Sequence, residues 1–163
     1  AAAAVTMIAA TMWAPAPTWP TWALLATIGA WVAVIDAITT WIPAALAWTG
    51  WAGWIGAVAV TALSDHTAAI RAVIATAIIF AAWMIAWLIS RGGFGFSDVR
   101  ITPLWAAPVA ATGIDTIHAT VIAGLTLIAL YALIDRFRHH TTRFLPWAPS
   151  LCGGALIGLA IAH

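Results

Sequence analysis

Few side chains in this sequence can do chemistry. All five acids are Asp and all six bases are Arg; there are five His, one Cys, and no Lys, Glu, Asn or Gln. Ser64-Asp65 and Gly113-Ile114-Asp115 read as helix caps, and Asp135 adjoins Arg136 and Arg138 as an interfacial partner for arginine. Asp98 closes a polar, Gly-rich stretch, Arg91-Gly92-Gly93-Phe94-Gly95-Phe96-Ser97-Asp98, where a capping role is the alternative. Asp36 sits in the apolar run Val34-Ile35-Asp36-Ala37-Ile38 with no cation within a helical turn. An acid in such a run marks function by default. Two carboxylates held close cannot both ionise easily, so one keeps a proton. Such a pair can take a proton from water and give one to a leaving amine.

The other reactive residues point nowhere specific. One Cys excludes an internal disulfide and a multi-Cys zinc site, and Cys152 reads as a small packing residue. His139 and His140 lie in a basic stretch, His66 and His118 near segment starts, and His163 at the terminus. No His pair is spaced on facing helices as haem ligation would require. There is no phosphate loop and no H-E-x-x-H, so no metal or cofactor is expected.

The elements that must position Asp36 and Asp98 are membrane helices. Hydrophobic residues make up 64% and charged residues 7% of 163 residues, with mean hydropathy +1.04. Soluble domains carry about 25% charge, and nucleic-acid binders or disordered chains carry more still. The apolar runs are continuous, unlike the alternating strands of a barrel. An all-α transmembrane bundle of about six to seven helices in one domain, residues 1–163, is expected. The segments fall at 1–13 (short, an incomplete first helix), 21–38, 43–63, 68–90, 101–112, 114–134 and 146–162. Pro15, Pro17 and Pro20 separate the first two, and 136–143 reads as a basic loop. The small pairs Ala52/Gly56, Ala119/Ala123 and Gly154/Gly158 suit close helix packing. Trp19, Trp22, Trp41, Trp105 and Trp147 lie near segment ends, as an interfacial belt would.

Counting crossings puts Arg91, Arg100, Arg136, Arg138 and Arg143 on one side and Arg71 alone on the other. The positive-inside rule makes the five-Arg side cytoplasmic. Asp36 and Asp98, two crossings apart, then reach that same face, whereas Asp65 and Asp115 face outward. An ion or proton path through a small transporter would instead need acids spread across the bilayer.

Three stretches carry a family likeness. Asp36-Ala37-Ile38-Thr39-Thr40-Trp41-Ile42-Pro43 has an Asp followed six residues on by Ile-Pro. Gly93-Phe94-Gly95-Phe96-Ser97-Asp98-Val99-Arg100 is close to G-x-G-F-G-D-V-[KR]. Leu145-Pro146-Trp147-Ala148-Pro149-Ser150-Leu151 with Gly153-Gly154-Ala155 is close to I-P-F-G-P-x-L and a small-residue run. In this order, over most of the chain from about residue 23 onward, they resemble the type IV prepilin peptidases, the G-x-G-D intramembrane aspartyl proteases. Thr39-Thr40-Trp41 stand where basic or polar residues are usual, Ala44 follows Pro43 in place of a polar residue, and Ser97 replaces Gly.

The resemblance implies an intramembrane aspartic endopeptidase that removes the basic leader of type IV prepilins or pseudopilins at the cytoplasmic face of the inner membrane. It implies Asp36 and Asp98 as the catalytic pair, and the short form without the extra methylating region. Gly92, Gly93 and Gly95 would let the loop rearrange around substrate. Ser97 is expected to strain a backbone that Gly would relax, unless its hydroxyl bonds Asp98. The alternatives are a small transporter with Asp36 as its ion or proton site, and an inactive scaffold of the same fold.

Overall fold

The structure, a computed structural model, describes residues 2–90, 95–139 and 147–163. It is all-helical there, with no strand among the described residues. Helix α1 is Ala2–Trp13; after a 3₁₀ turn at Ala16–Thr18 come α2, Trp19–Leu24, and α3, Ala30–Thr39. A π turn at Leu25–Gly29 joins α2 to α3 in one rod. Then follow α4 (Ala44–Ser64), α5 (His66–Ser90), α6 (Phe96–Arg100), α7 (Thr102–Thr112), α8 (Ile114–His139) and α9 (Trp147–Ala162).

Four helices are long and apolar enough to cross a membrane: Ala16–Thr39, Ala44–Ser64, His66–Ser90 and Ile114–Phe137. Two shorter apolar helices are Ala2–Trp13 and Trp147–Ala162. The expected segment boundaries fall within a few residues of these. Two stretches expected in loops are helical instead: 96–100, the end of the Gly-rich stretch, forms α6, and 136–139 continues α8; Gly and Pro are absent from both, so nothing stops a helix there.

Helix α7 is the centre of the bundle. Every residue from Thr102 to Ala111 is buried, against α2, α4, α5, α8 and α9. A helix apolar on all sides belongs in a core, and Ala106, Ala107, Ala110 and Ala111 let neighbours approach closely. Pro103 sits in its first turn, where no N–H is needed, and Pro108 inside it. At its far end Arg71 donates from Nε to the Ala110 carbonyl (3.3 Å) and from Nη2 to the Ala111 carbonyl (2.8 Å). Arg71 thus caps the C-terminus of α7, where carbonyls lack helical partners and a cation is favoured.

Helices α8 and α9 pack along most of their length. The contact runs on Thr116, Thr120, Gly124 and Ile128 of α8, four residues apart and all buried. Gly154 and Gly158 of α9 lie against Gly124 and Thr120, as the sequence suggested. The pair Ala52/Gly56 does not serve this purpose: a side chain at Gly56 would meet nothing within 4 Å. Ala119 and Ala123 line a hollow beside that contact, between α8 and Ile157 and Ile161 of α9. Asp65 Oδ1 accepts the Ala68 N–H at 2.9 Å, the expected cap of α5.

Candidate active site

Asp36 lies on the last turn of α3. The chain turns sharply just beyond it. Thr40 adopts a left-handed backbone (φ 52°), and its N–H donates to the Asp36 carbonyl at 2.8 Å. Thr39 Oγ1 accepts the Trp41 N–H at 3.2 Å. The turn delivers Ile42 into the core, 1% exposed, and Pro43 to the N-cap of α4. The six-residue spacing from Asp36 to Ile42 is therefore one helix end, one turn and one anchor. Thr40 is the one non-Gly residue with positive φ among the described residues, a conformation that β-branched side chains rarely take.

The Asp36 carboxylate points into the bundle, 4% exposed. Its Oδ2 accepts the Ala148 N–H at 3.0 Å, and the Trp147 backbone N–H also bonds the carboxylate. These are the first residues of α9, whose amides have no helical acceptor. Asp36 thus caps a helix 112 residues further along the chain and is held in place by it. Trp147 is in turn wedged edge-on to Trp83 of α5, with centroids 5.4 Å apart.

Asp98 sits in the first turn of α6 and is 8% exposed. Burial, and then the charge of Asp36, push its carboxyl up from 3.8 to about 7. The two acids expected to act together are thus brought within electrostatic reach, and the stretch beginning at Trp147 bonds one of them, Asp36. Asp65, Asp115 and Asp135 are not part of this group. Asp135 stands near the C-terminal end of α8, and Asp65 and Asp115 at helix starts.

Residues around Asp98 correct one expectation. Ser97 lies in the right-handed first turn of α6, so it carries no left-handed strain, and no hydrogen bond joins its hydroxyl to Asp98. Glycine there would loosen a helical turn rather than relieve one. Gly95 matters by proximity instead: at φ −72° it needs no special backbone, but a Cβ would stand 3.1 Å from Asp98 Oδ2 and from Ser97 Oγ. Gly95→Ala should therefore displace the carboxylate and lower activity, while Ser97→Gly should bring no gain. If the expectation of a peptidase holds, initial cleavage rates of the two variants against the parent check both, and faster cleavage by Ser97→Gly would restore the strain account. Gly92 and Gly93, expected to lend the loop freedom, lie outside the described residues.

Several residues at this end were not legible in the sequence. Trp51 Nε1 donates to the Arg100 carbonyl at 3.0 Å. The Arg100 guanidinium lies 5.2 Å from the Phe96 ring centroid, a cation–π contact. Phe96 packs on Trp87 at 4.9 Å. Residues two apart on a helix face different ways, so Arg100 stacks on Phe96, four residues back, instead of neutralising Asp98. Cys152 Sγ donates to the Gly29 carbonyl at 3.8 Å, at the end of the π turn; it packs between helices, as expected. No group of three metal-ligating side chains exists among the described residues.

No family model, no curated protein and no solved structure matches this chain.

Proposed function

We propose that the chain is an aspartic endopeptidase of the membrane, resembling the prepilin peptidases, with Asp36 and Asp98 as its proton-sharing pair. The observation that supports it most is the convergence of three separated stretches. Asp36 on α3 bonds the amides of Trp147 and Ala148 on α9 and raises Asp98 on α6 by its charge. Those are the three stretches on which the likeness rests. The pair deprotonates a water that attacks the peptide carbonyl, and returns a proton to the departing amine. The pair as a whole holds one proton in its working state. A groove of about 420 Å³ between α1, α3 and α9, lined by Val5, Ala33, Ala37, Pro149, Cys152 and Gly153, would take the apolar segment that follows a leader. On this reading the shorter helices α1, α7 and α9 join the four long ones to give six to seven segments, and the pair faces the cytoplasm. Co-expression with candidate prepilins or pseudopilins, reading leader removal by the mobility of the product, is the direct test; no shortened product with any of them would count against it.

Two further outcomes are expected. Ser64→Cys and Gly93→Cys, in a Cys152→Ser background, should react with an impermeant thiol reagent from opposite sides of the membrane. Reaction of both from one side would overturn the topology. The second outcome concerns pH. With Asp98 raised to about 7, the pair loses its shared proton as pH rises through that value, so kcat should fall on the alkaline side with a midpoint near it. The same group binds a proton in the folded protein that the unfolded chain has released, over the window from 3.8 to about 7. Stability should therefore decline as pH rises across that window. A profile of kcat flat from pH 6 to 9 would contradict the assignment of Asp98.

A further inference from the structure

We propose that Trp51 is a positioning residue for Asp98: its indole N–H, bonded to the Arg100 carbonyl, fixes the tilt of the short helix that carries the acid. The inference rests on the reading of Asp36 and Asp98 as a working pair.

Helix α6 has five residues, too few to be stable through its own hydrogen bonds. Its carbonyls at the C-terminal end must find partners elsewhere. The Val99 carbonyl accepts from Thr102 Oγ1 at 2.8 Å, and the Ile101 carbonyl from the Leu104 N–H at 3.0 Å. Both bonds are local and follow the chain into α7. The Arg100 carbonyl, between them, accepts from Trp51, 49 residues away on α4. That bond ties α6 to the body of the bundle.

The indole is itself held. Its ring meets Trp54 edge-on at 5.5 Å and Phe80 of α5 at 5.4 Å. The neighbours of Trp51 on α4 differ from it. Trp54 Nε1 is buried with no acceptor among the described residues, and Trp48 is 63% exposed. Of these three tryptophans, spaced three apart, one directs its N–H at the element that bears an acid. The Arg100 carbonyl is two residues from Asp98, so rotation of α6 about this bond changes the separation of Asp98 from Asp36. Among the described residues, no other charge faces Asp98. Helices α4, α7 and α9 carry no charged side chain, α5 carries His66 and Arg71 at its opposite end, and Arg100 is turned onto Phe96.

Trp51→Phe keeps an aromatic ring against Trp54 and Phe80 and removes the donor. The test uses the full chain in lipid nanodiscs with the prepilin that the parent cleaves. A misplacement of about 1 Å lowers rate by up to roughly a hundredfold, so kcat should fall about tenfold to a hundredfold with KM within about twofold. The alkaline limb of the kcat profile should move to lower pH, because Asp98 loses part of the Asp36 field. Trp48→Phe should match the parent in both. Parent-like kcat and pH profile in Trp51→Phe would overturn the proposal. So would a fall in kcat accompanied by a lower melting temperature and an unmoved pH profile, since that is loss of packing alone. If Trp51→Phe does not fold, a benzothiophene side chain at position 51, which replaces the N–H by sulfur in the same shape, takes its place with the same expectations. The pH dependence of the melting temperature, absent in Asp98→Asn, reports Asp98 without turnover. If the parent cleaves nothing but Trp51→Phe shifts that dependence, the peptidase reading fails and the positioning role stands.

Discussion

On the proposed reading, Asp36→Asn and Asp98→Asn should each abolish leader removal and leave the protein folded in the membrane. General acid–base groups contribute about 10² to 10⁴ in rate, and here each member of the pair depends on the other, so either loss removes the working state. Asn preserves size, and at position 36 its carbonyl oxygen can still accept the Ala148 N–H that Asp36 now accepts at 3.0 Å. Helix α9 therefore keeps its cap, and inactivity cannot be put down to a lost helix contact. What Asn cannot do is carry the shared proton. The Asp36→Asn variant has a second signature: Asp98 no longer feels the Asp36 charge, so its carboxyl drops below about 7 while burial still holds it above 3.8. Asp135→Asn should retain most activity, because Asp135 lies near the end of α8, away from the pair. Immunoblots of cleaved and uncleaved prepilin, with membrane-extracted protein levels beside them, check all three variants. Normal cleavage by either member of the pair ends the reading.

The sequence carried the helices and the two acids because both signals are one-dimensional. A run of about twenty apolar residues is long enough to cross a bilayer whatever surrounds it, and an acid inside one is conspicuous. Even Pro43 announced the start of α4. The approach of Asp36 to the start of α9 was hinted at only by the order of the motif-like stretches. Its cause, a carboxylate accepting N–H groups from a helix end, is tertiary. The role of α7 as a central post was hidden by its shortness and by Pro108, which made it read as interrupted; being buried on every side, it has no polar face to mark it. Nothing in the sequence sets Trp51 apart from the other tryptophans, and Arg71 stands out only as a lone arginine. Each instead satisfies a carbonyl at a helix C-terminus, and which indole or guanidinium does so depends on how helices dock. Ser97 was misjudged because a motif with Gly suggested a left-handed backbone, whereas the left-handed residue is Thr40, beside the other acid.

Gly158→Leu should be the most damaging substitution away from the acids. A Cβ at Gly158 would stand 2.7 Å from the Thr120 Cα, with the Thr120 hydroxyl in the way as well, and one at Gly154 equally close to the Gly124 Cα, so backbone, which cannot swing aside, blocks the space at both. Overpacking a core typically destabilises by about 1–3 kcal/mol, and Leu adds more than a Cβ; separation of α8 from α9 is the only relief. The displacement reaches the site, because the first turn of α9 bonds Asp36 through Trp147 and Ala148. Gly158→Leu should thus lower the melting temperature in detergent and reduce cleavage per folded molecule as well. Gly56→Leu is the matched control: nothing lies within 4 Å of the space a Cβ would fill, and replacing Gly in a helix interior by a better helix former gains up to about 1 kcal/mol. The pair separates a packing effect from a general intolerance of large residues in membrane helices. Equal melting temperatures for the two variants would mean that α8 and α9 do not meet on Thr120 and Gly158, and the mechanical link from that contact to Asp36 would fall with it.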